Sequence, residues 1–217
     1  MQSKGIYCIE TDWDFENTKN CSVAGILKFL KSCEGIQYKH IKLVKDTETF
    51  MNQLRSYNDN IRQYQSKYPI LYIASHGRSG AVCVRGKNIY LDEIGDVLRD
   101  VFNQHDRKGI IVLGSCKTAN INISTITDFI DDTGAFAFIG YKNDADFSYS
   151  VTTELLLMLE LQNNEFSMNG YCAILRNVQN LQRMFNNSDD QTRNVGLCIH
   201  FRKNKECTPQ KIKTLLG

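Results

Sequence analysis

Two continuous apolar runs, residues 70–75 (ILYIAS) and 109–114 (GIIVLG), constrain this chain more than any other feature. A strand with one wet face alternates apolar and polar residues. A strand apolar at nearly every position is covered on both faces, as in the middle of a parallel sheet. Parallel neighbours in turn need long crossover connections, usually helices.

The rest of the chain supplies both kinds of segment. Residues 5–10 (GIYCIE), 38–44, 135–141 (AFAFIGY) and 196–201 (GLCIHF) read as further strands. Helical spacing runs through residues 22–33, with Ser22 as N-cap, and 47–67, closed by Pro69. It recurs from the cap Asp92 to about Gln104, over 122–132 with Gly134 past the end, and over 148–161 and 171–185. The runs AVCV and NIYL flank Arg85-Gly86-Lys87 as a small β-hairpin. Strands alternating with helices define an α/β class: a three-layer sandwich with a mostly parallel central sheet and helices on both faces. At 217 residues, with no repeat, low-complexity stretch or linker, residues 1–217 are expected to form a single domain.

Composition removes several functions. A net charge of +2 gives no electrostatic footprint for nucleic acid. No apolar run approaches a membrane span, and the first residues, MQSKGIYCIE, lack a signal-peptide core. A cytoplasmic location is expected. The eight cysteines then lie in a reducing compartment and need no disulfide framework. There is no C-x-x-C pair and few histidines, so no metal is expected, and no cofactor either. Neither G-x-G-x-x-G nor a P-loop is present, which argues against a nucleotide-binding flavodoxin-like domain.

The chemistry gathers at the ends of the two central strands. One run stops at His76-Gly77 and the other at Ser115-Cys116. Open α/β sheets bind ligands beyond the carboxyl ends of their strands. If the strands are parallel neighbours, His76 and Cys116 share an edge. Cysteine attacks as the thiolate, an adjacent imidazole holds that form, and the imidazolium then protonates the leaving amine. Gly77 permits close backbone approach, so its N–H and that of Cys116 are candidate oxyanion donors. Either residue alone reads more simply as a loop histidine or a filler cysteine. Their joint occurrence at two strand ends favours the chemistry.

Three stretches carry a resemblance, in order: ILYIASHG (70–77), IIVLGSCKT (110–118) and GAFAFIGYKNDADFS (134–148). Together they resemble the histidine block, the nucleophile block and the following block of the caspase-like cysteine peptidases, and are most similar to the CHAT and separase-type domains. The resemblance covers roughly residues 65–165. It implies a caspase-like fold, peptide-bond hydrolysis by a Cys116–His76 dyad and a protein substrate or activating partner. It also implies a bacterial defence or cell-death setting. The caspase signature Gln-Ala-Cys-x-Gly is absent, so aspartate specificity is not implied. The expected Thr-Gly is Thr118-Ala119-Asn120, and Tyr141 stands where those families have Trp.

In separase-like relatives an aspartate of the third block binds a basic P1 side chain. Asp144 and Asp146 match it here, which implies a preference for Arg or Lys. They serve equally well as caps of the helix that follows. The loop after the first strand, Glu10-Thr11-Asp12-Trp13-Asp14, reaches the same edge. Asp12 is its expected contributor, while Glu10 and Asp14 read as solvated. Cys83 is a rival nucleophile whose apolar run points to a buried, inert thiol. His40 and His200 read as structural, without a cysteine or serine partner, and His105 as exposed. The basic tail, 202–213, reads as a solvated face. The competing function is a binding module that keeps the fold and not the chemistry.

Overall fold

The computed structural model describes residues 4–13, 21–60, 67–103, 109–163, 165–166, 168–186 and 194–202. His105, Asp14, Cys207 and the tail beyond Arg202 lie outside them. The central sheet has six strands: β1 (Ile6–Thr11), β2 (Tyr38–Val44), β3 (Ile70–Ala74), β7 (Ile110–Gly114), β8 (Ala137–Tyr141) and β9 (Leu197–Phe201). Their order is β2-β1-β3-β7-β8-β9. The first five are parallel and β9 closes the edge antiparallel to β8. A second, three-stranded sheet comprises β4 (His76–Arg78), β5 (Ala81–Val84) and β6 (Lys87–Tyr90).

Both runs that define the fold are buried at every position, as a strand covered on two faces must be. Alternation along β1 sorts its side chains between two cores. Tyr7 and Ile9 pack with Phe50 and Leu54 of α2 (Thr47–Asp59), Ile94 of α3 (Leu91–Val97) and Phe129 of α4 (Ile123–Thr133). Ile6 and Cys8 face the other way, onto Leu27 of α1 (Ala24–Glu34), Leu157 of α5 (Phe147–Gln162) and Val178 of α6 (Met168–Asn186). Helices therefore cover both faces of a mostly parallel sheet. Among the described residues, no helix is long and apolar enough to cross a membrane.

Several boundaries differ from the sequence reading. The N-cap of α1 is Val23; Ser22 instead accepts the Ala24 N–H through its hydroxyl (3.1 Å). α2 ends at Asp59, where the Asn60 amide returns to the Ser56 carbonyl (2.9 Å); residues 61–66 lie outside the described chain. α3 starts after Tyr90, so Asp92 sits in its first turn, and it stops at Val97 rather than near Gln104. Asp100 adopts φ 56°, and the N–H groups of Asp100 and Phe102 go to Asp132 and Thr133 at the end of α4. Docking onto α4 therefore replaces further helical turns.

Candidate active site

Register decides what meets at the sheet edge. Ala74 of β3 pairs with Gly114 of β7, and Glu10 of β1 pairs with Ala74. Two residues beyond the first pair stand His76 and Cys116, reached at equal offsets from neighbouring parallel strands. Between them the Ser75 and Ser115 hydroxyls are hydrogen-bonded (2.8 Å). His76 and Cys116 line one cavity of about 290 Å³, with Trp13, Tyr141 and Phe147 among its other walls. The strands thus bring together the two residues proposed from sequence.

His76 belongs to strand β4 and not to a loop. A tight turn at Gly80 (φ +71°) folds β5 back onto it, pairing His76 with Cys83. The ring is oriented by a backbone carbonyl. Its Nε2 lies 2.6 Å from the Trp13 oxygen, which can only accept, so Nε2 carries the proton and Nδ1 is the basic nitrogen. The Trp13 indole meets the imidazole edge to face at 5.4 Å between centroids.

Trp13 is itself anchored by Glu10, which is 1% exposed and not solvated as its loop position led one to expect. Its carboxylate accepts from the Trp13 indole (2.9 Å), the Ser22 hydroxyl (2.9 Å) and the Val23 N–H (2.8 Å), and pairs with His40 Nε2 (2.7 Å). Burial alone would raise its pKa; the four partners outweigh burial and hold it below the ordinary carboxylate range. His40 is structural, as expected, and its partner is Glu10.

Gly77 is where the backbones of β4 and the Ser115–Cys116 segment touch. A Cβ there would fall 2.4 Å from the Cys116 oxygen and 3.0 Å from its nitrogen. The two-residue turn makes Arg78–Ala81 the hydrogen-bonded pair, so Gly77–Val82 is the next, non-bonded pair. The Gly77 N–H therefore points away from β5. The chain after Cys116 is fixed to the chain after β8: the N–H groups of Lys117 and Ala119 donate to the Asn143 and Tyr141 carbonyls (3.2 and 2.9 Å). Lys117 holds φ 59°, the left-handed region that an L side chain rarely adopts.

The Cys116 thiol is half-buried against Ala145. Sγ accepts the Ala145 N–H (3.4 Å) and donates toward its carbonyl (3.7 Å). Burial pushes the thiol pKa up, and Asp144 adds to this. The N–H groups of Ala145 and Cys116 and the Lys117 ammonium pull the other way. In this arrangement the sulfur is a thiol held by Ala145.

The three aspartates lie elsewhere. Asp146 caps α5, accepting the Ser148 N–H (2.8 Å). Asp144 pairs with the Lys117 ammonium and lines a neighbouring cavity of about 730 Å³ with Asp146. Asp12 sits on the far side of His76, 3.8 Å from Arg85, in a third cavity of about 320 Å³ that Gly77 also lines. His76 stands between this cavity and that of Cys116. Cys83 is half-buried here rather than sealed in the core, and donates to Asn88 (3.1 Å). Burial nevertheless raises its pKa. A further correction concerns His200, whose Nε2 lies 2.9 Å from Cys198 Sγ on β9. Burial lowers the imidazole pKa and raises that of the thiol, which favours the neutral form of both partners. Among the described residues no cluster of metal-binding side chains occurs.

Fold and site together define an α/β protein with a cysteine and a histidine converging beyond the ends of adjacent parallel strands. The chain belongs to a family of unknown function, DUF6642, whose family model matches residues 3–192. No curated protein matches it.

Proposed function

We propose that the chain is a cysteine endopeptidase of caspase-like type, nearest in kind to CHAT and separase-type domains, acting on a protein substrate with a basic P1 residue. One observation carries the reading: His76 and Cys116 stand at equal offsets beyond a paired Ala74 and Gly114 and line one cavity. His76 Nδ1 takes the Cys116 proton, and Sγ attacks the scissile carbonyl. The N–H groups of Gly77 and Cys116 receive the oxyanion. The imidazolium then gives its proton to the leaving amine, and water, deprotonated by the same ring, releases the acyl group.

A second reading, a silent interaction module, draws on the thiol itself. Cys116 is hydrogen-bonded to Ala145, and burial favours its neutral form. Fluorogenic peptides ending in Arg, Lys or Asp separate the two. The peptidase reading expects cleavage lost in both Cys116→Ala and His76→Ala; cleavage that survives Cys116→Ala sinks it.

A further inference from the structure

The cavity of Cys116 has an unusual back wall. Gly114 and Tyr141 form part of it, and the buried Glu154 lies directly behind both. Gly114 lacks the side chain that would exclude this carboxyl: a Cβ there would fall 2.5 Å from Glu154 Oε1. The Tyr141 hydroxyl reaches two acceptors, Glu154 Oε1 (3.1 Å) and the Ser150 carbonyl (3.3 Å), and the Tyr72 hydroxyl donates to Oε2. Burial, followed by the charge of Glu154, pushes the Tyr72 and Tyr141 phenols up, so both remain protonated donors. Among the described residues no Lys, Arg or His pairs with Glu154. Glu10, on the same face of the sheet, is satisfied by His40 and its three other donors.

The front of the cavity complements this back. Trp13 and Phe147 meet edge to face at 5.4 Å and offer aromatic surface to a cation. Ser150 donates its hydroxyl proton to the Phe147 carbonyl (3.0 Å), which leaves its lone pairs free to accept. Tyr141 can accept on its oxygen while its proton is shared between Glu154 and the Ser150 carbonyl. The volume, about 290 Å³, is at the low end for small-molecule sites, about 300–1,000 Å³, and suits one side chain better than a cofactor.

We propose that this cavity receives the Arg or Lys side chain of the substrate, with Glu154 acting through the Tyr141 hydroxyl as its counter-charge. The assignment rests on the peptidase reading and gives its basic preference a residue other than Asp12, Asp144 or Asp146. Burial holds the Glu154 carboxyl up at about 7 against the hydrogen bonds of the two tyrosines. Near pH 7 the carboxyl of the empty cavity is therefore divided between its neutral and charged forms, and an arriving cation draws it into the charged form. Glu154 is a specificity-determining residue here, acting through Tyr141.

Trp13, the chain's single tryptophan, lines the cavity and reports its occupancy. The test titrates agmatine, a four-carbon chain with a guanidinium at one end and an ammonium at the other, against neutral N-butylurea and follows Trp13 emission. Agmatine should saturate the signal at concentrations about 10-fold or more below those of the urea. Glu154→Gln should remove that advantage, and Tyr141→Phe, which keeps the packing, should reduce it. Equal titrations by the two probes, no response to agmatine, or an advantage unchanged in a folded Glu154→Gln would each overturn the proposal. The readout needs no peptide hydrolysis, so the outcomes separate. Selective agmatine binding without Cys116-dependent cleavage refutes the peptidase reading alone. Cleavage without selective binding refutes this inference alone.

Discussion

Glu154 is 2% exposed and carries an ionisable group that the fold must either keep neutral or stabilise as a charge. Burial raises its pKa from 4.5 to about 7; the Tyr72 and Tyr141 hydrogen bonds oppose that rise, and the charge of Glu10 adds to it. Between these two values the folded chain holds a proton that the unfolded chain has released. Folding stability therefore falls as pH rises from about 4.5, and levels off above about 7. At about 1.4 kcal/mol per pH unit, the ionised carboxyl costs the fold about 3 kcal/mol relative to the protonated one. Glu154→Gln removes the titration while keeping a side-chain oxygen for one tyrosine. Urea unfolding of both proteins at pH 4.5 and pH 8.5 isolates the effect, since the other groups titrate alike in each. The two should lie within about 1 kcal/mol at the acid end. The Gln variant should be the more stable by about 3 kcal/mol at the alkaline end. A difference that does not change with pH, or that grows toward acid, would refute the reasoning.

Gly77→Ala drives a methyl group into the Cys116 carbonyl, and should cost about 1–3 kcal/mol in thermal unfolding and about 100-fold in peptide cleavage. Glu10→Gln strips the charge-assisted bonds from His40 and Val23, and urea unfolding should show a loss of about 3 kcal/mol at pH 7. Because the Glu10 pKa is held below the ordinary value, its stabilisation is present above about pH 4.5 and is lost as pH falls further, so the same variant should cost less at pH 4. At the left-handed Lys117, a glycine should raise stability by about 1 kcal/mol and a valine lower it by about 1–2 kcal/mol; the exposed ion pair with Asp144 contributes little to either.

The sheet was legible because burial on two faces leaves a one-dimensional trace: 70–75 and 109–114 could be little else than central strands, and their ends located His76 and Cys116. Helix ends were less legible. The stop of α3 at Val97 depends on the Asp100 N–H reaching a carbonyl 32 positions on in the chain. The same limit applied to the site. Glu10 looked solvated because Glu-Thr-Asp-Trp-Asp is a polar string, and only the arrival of His40 from β2 and Val23 from α1 makes its burial affordable. Trp13 was passed over as part of that string, although a tryptophan beside a strand end is a signal that an aromatic wall is near.

Glu154 was hidden more deeply. In Thr-Thr-Glu-Leu-Leu-Leu it occupies a position that helical spacing assigns as readily to a wet face as to a dry one. Its burial is settled by residues on two other elements. Gly114 leaves space for the carboxyl at the end of β7, and Tyr72, 82 positions away in β3, turns a hydroxyl into that space. Read along β7, Gly114 is the last small residue of an apolar run. Across the sheet it is the opening through which α5 presents an acid to the back of the cavity. A methyl group at Gly114 would close that opening by displacing Oε1, leaving the Tyr141 hydroxyl without its carboxylate. The same glycine precedes Ser115-Cys116 by one step. The proposed nucleophile and the proposed counter-charge are therefore set by one short stretch of backbone, and Gly114→Ala should disturb both. Trp13 emission should lose its selective response to agmatine, and cleavage after Arg should fall more than cleavage after Leu. A selective response and an Arg preference retained in a folded Gly114→Ala would show that Glu154 plays no part in either.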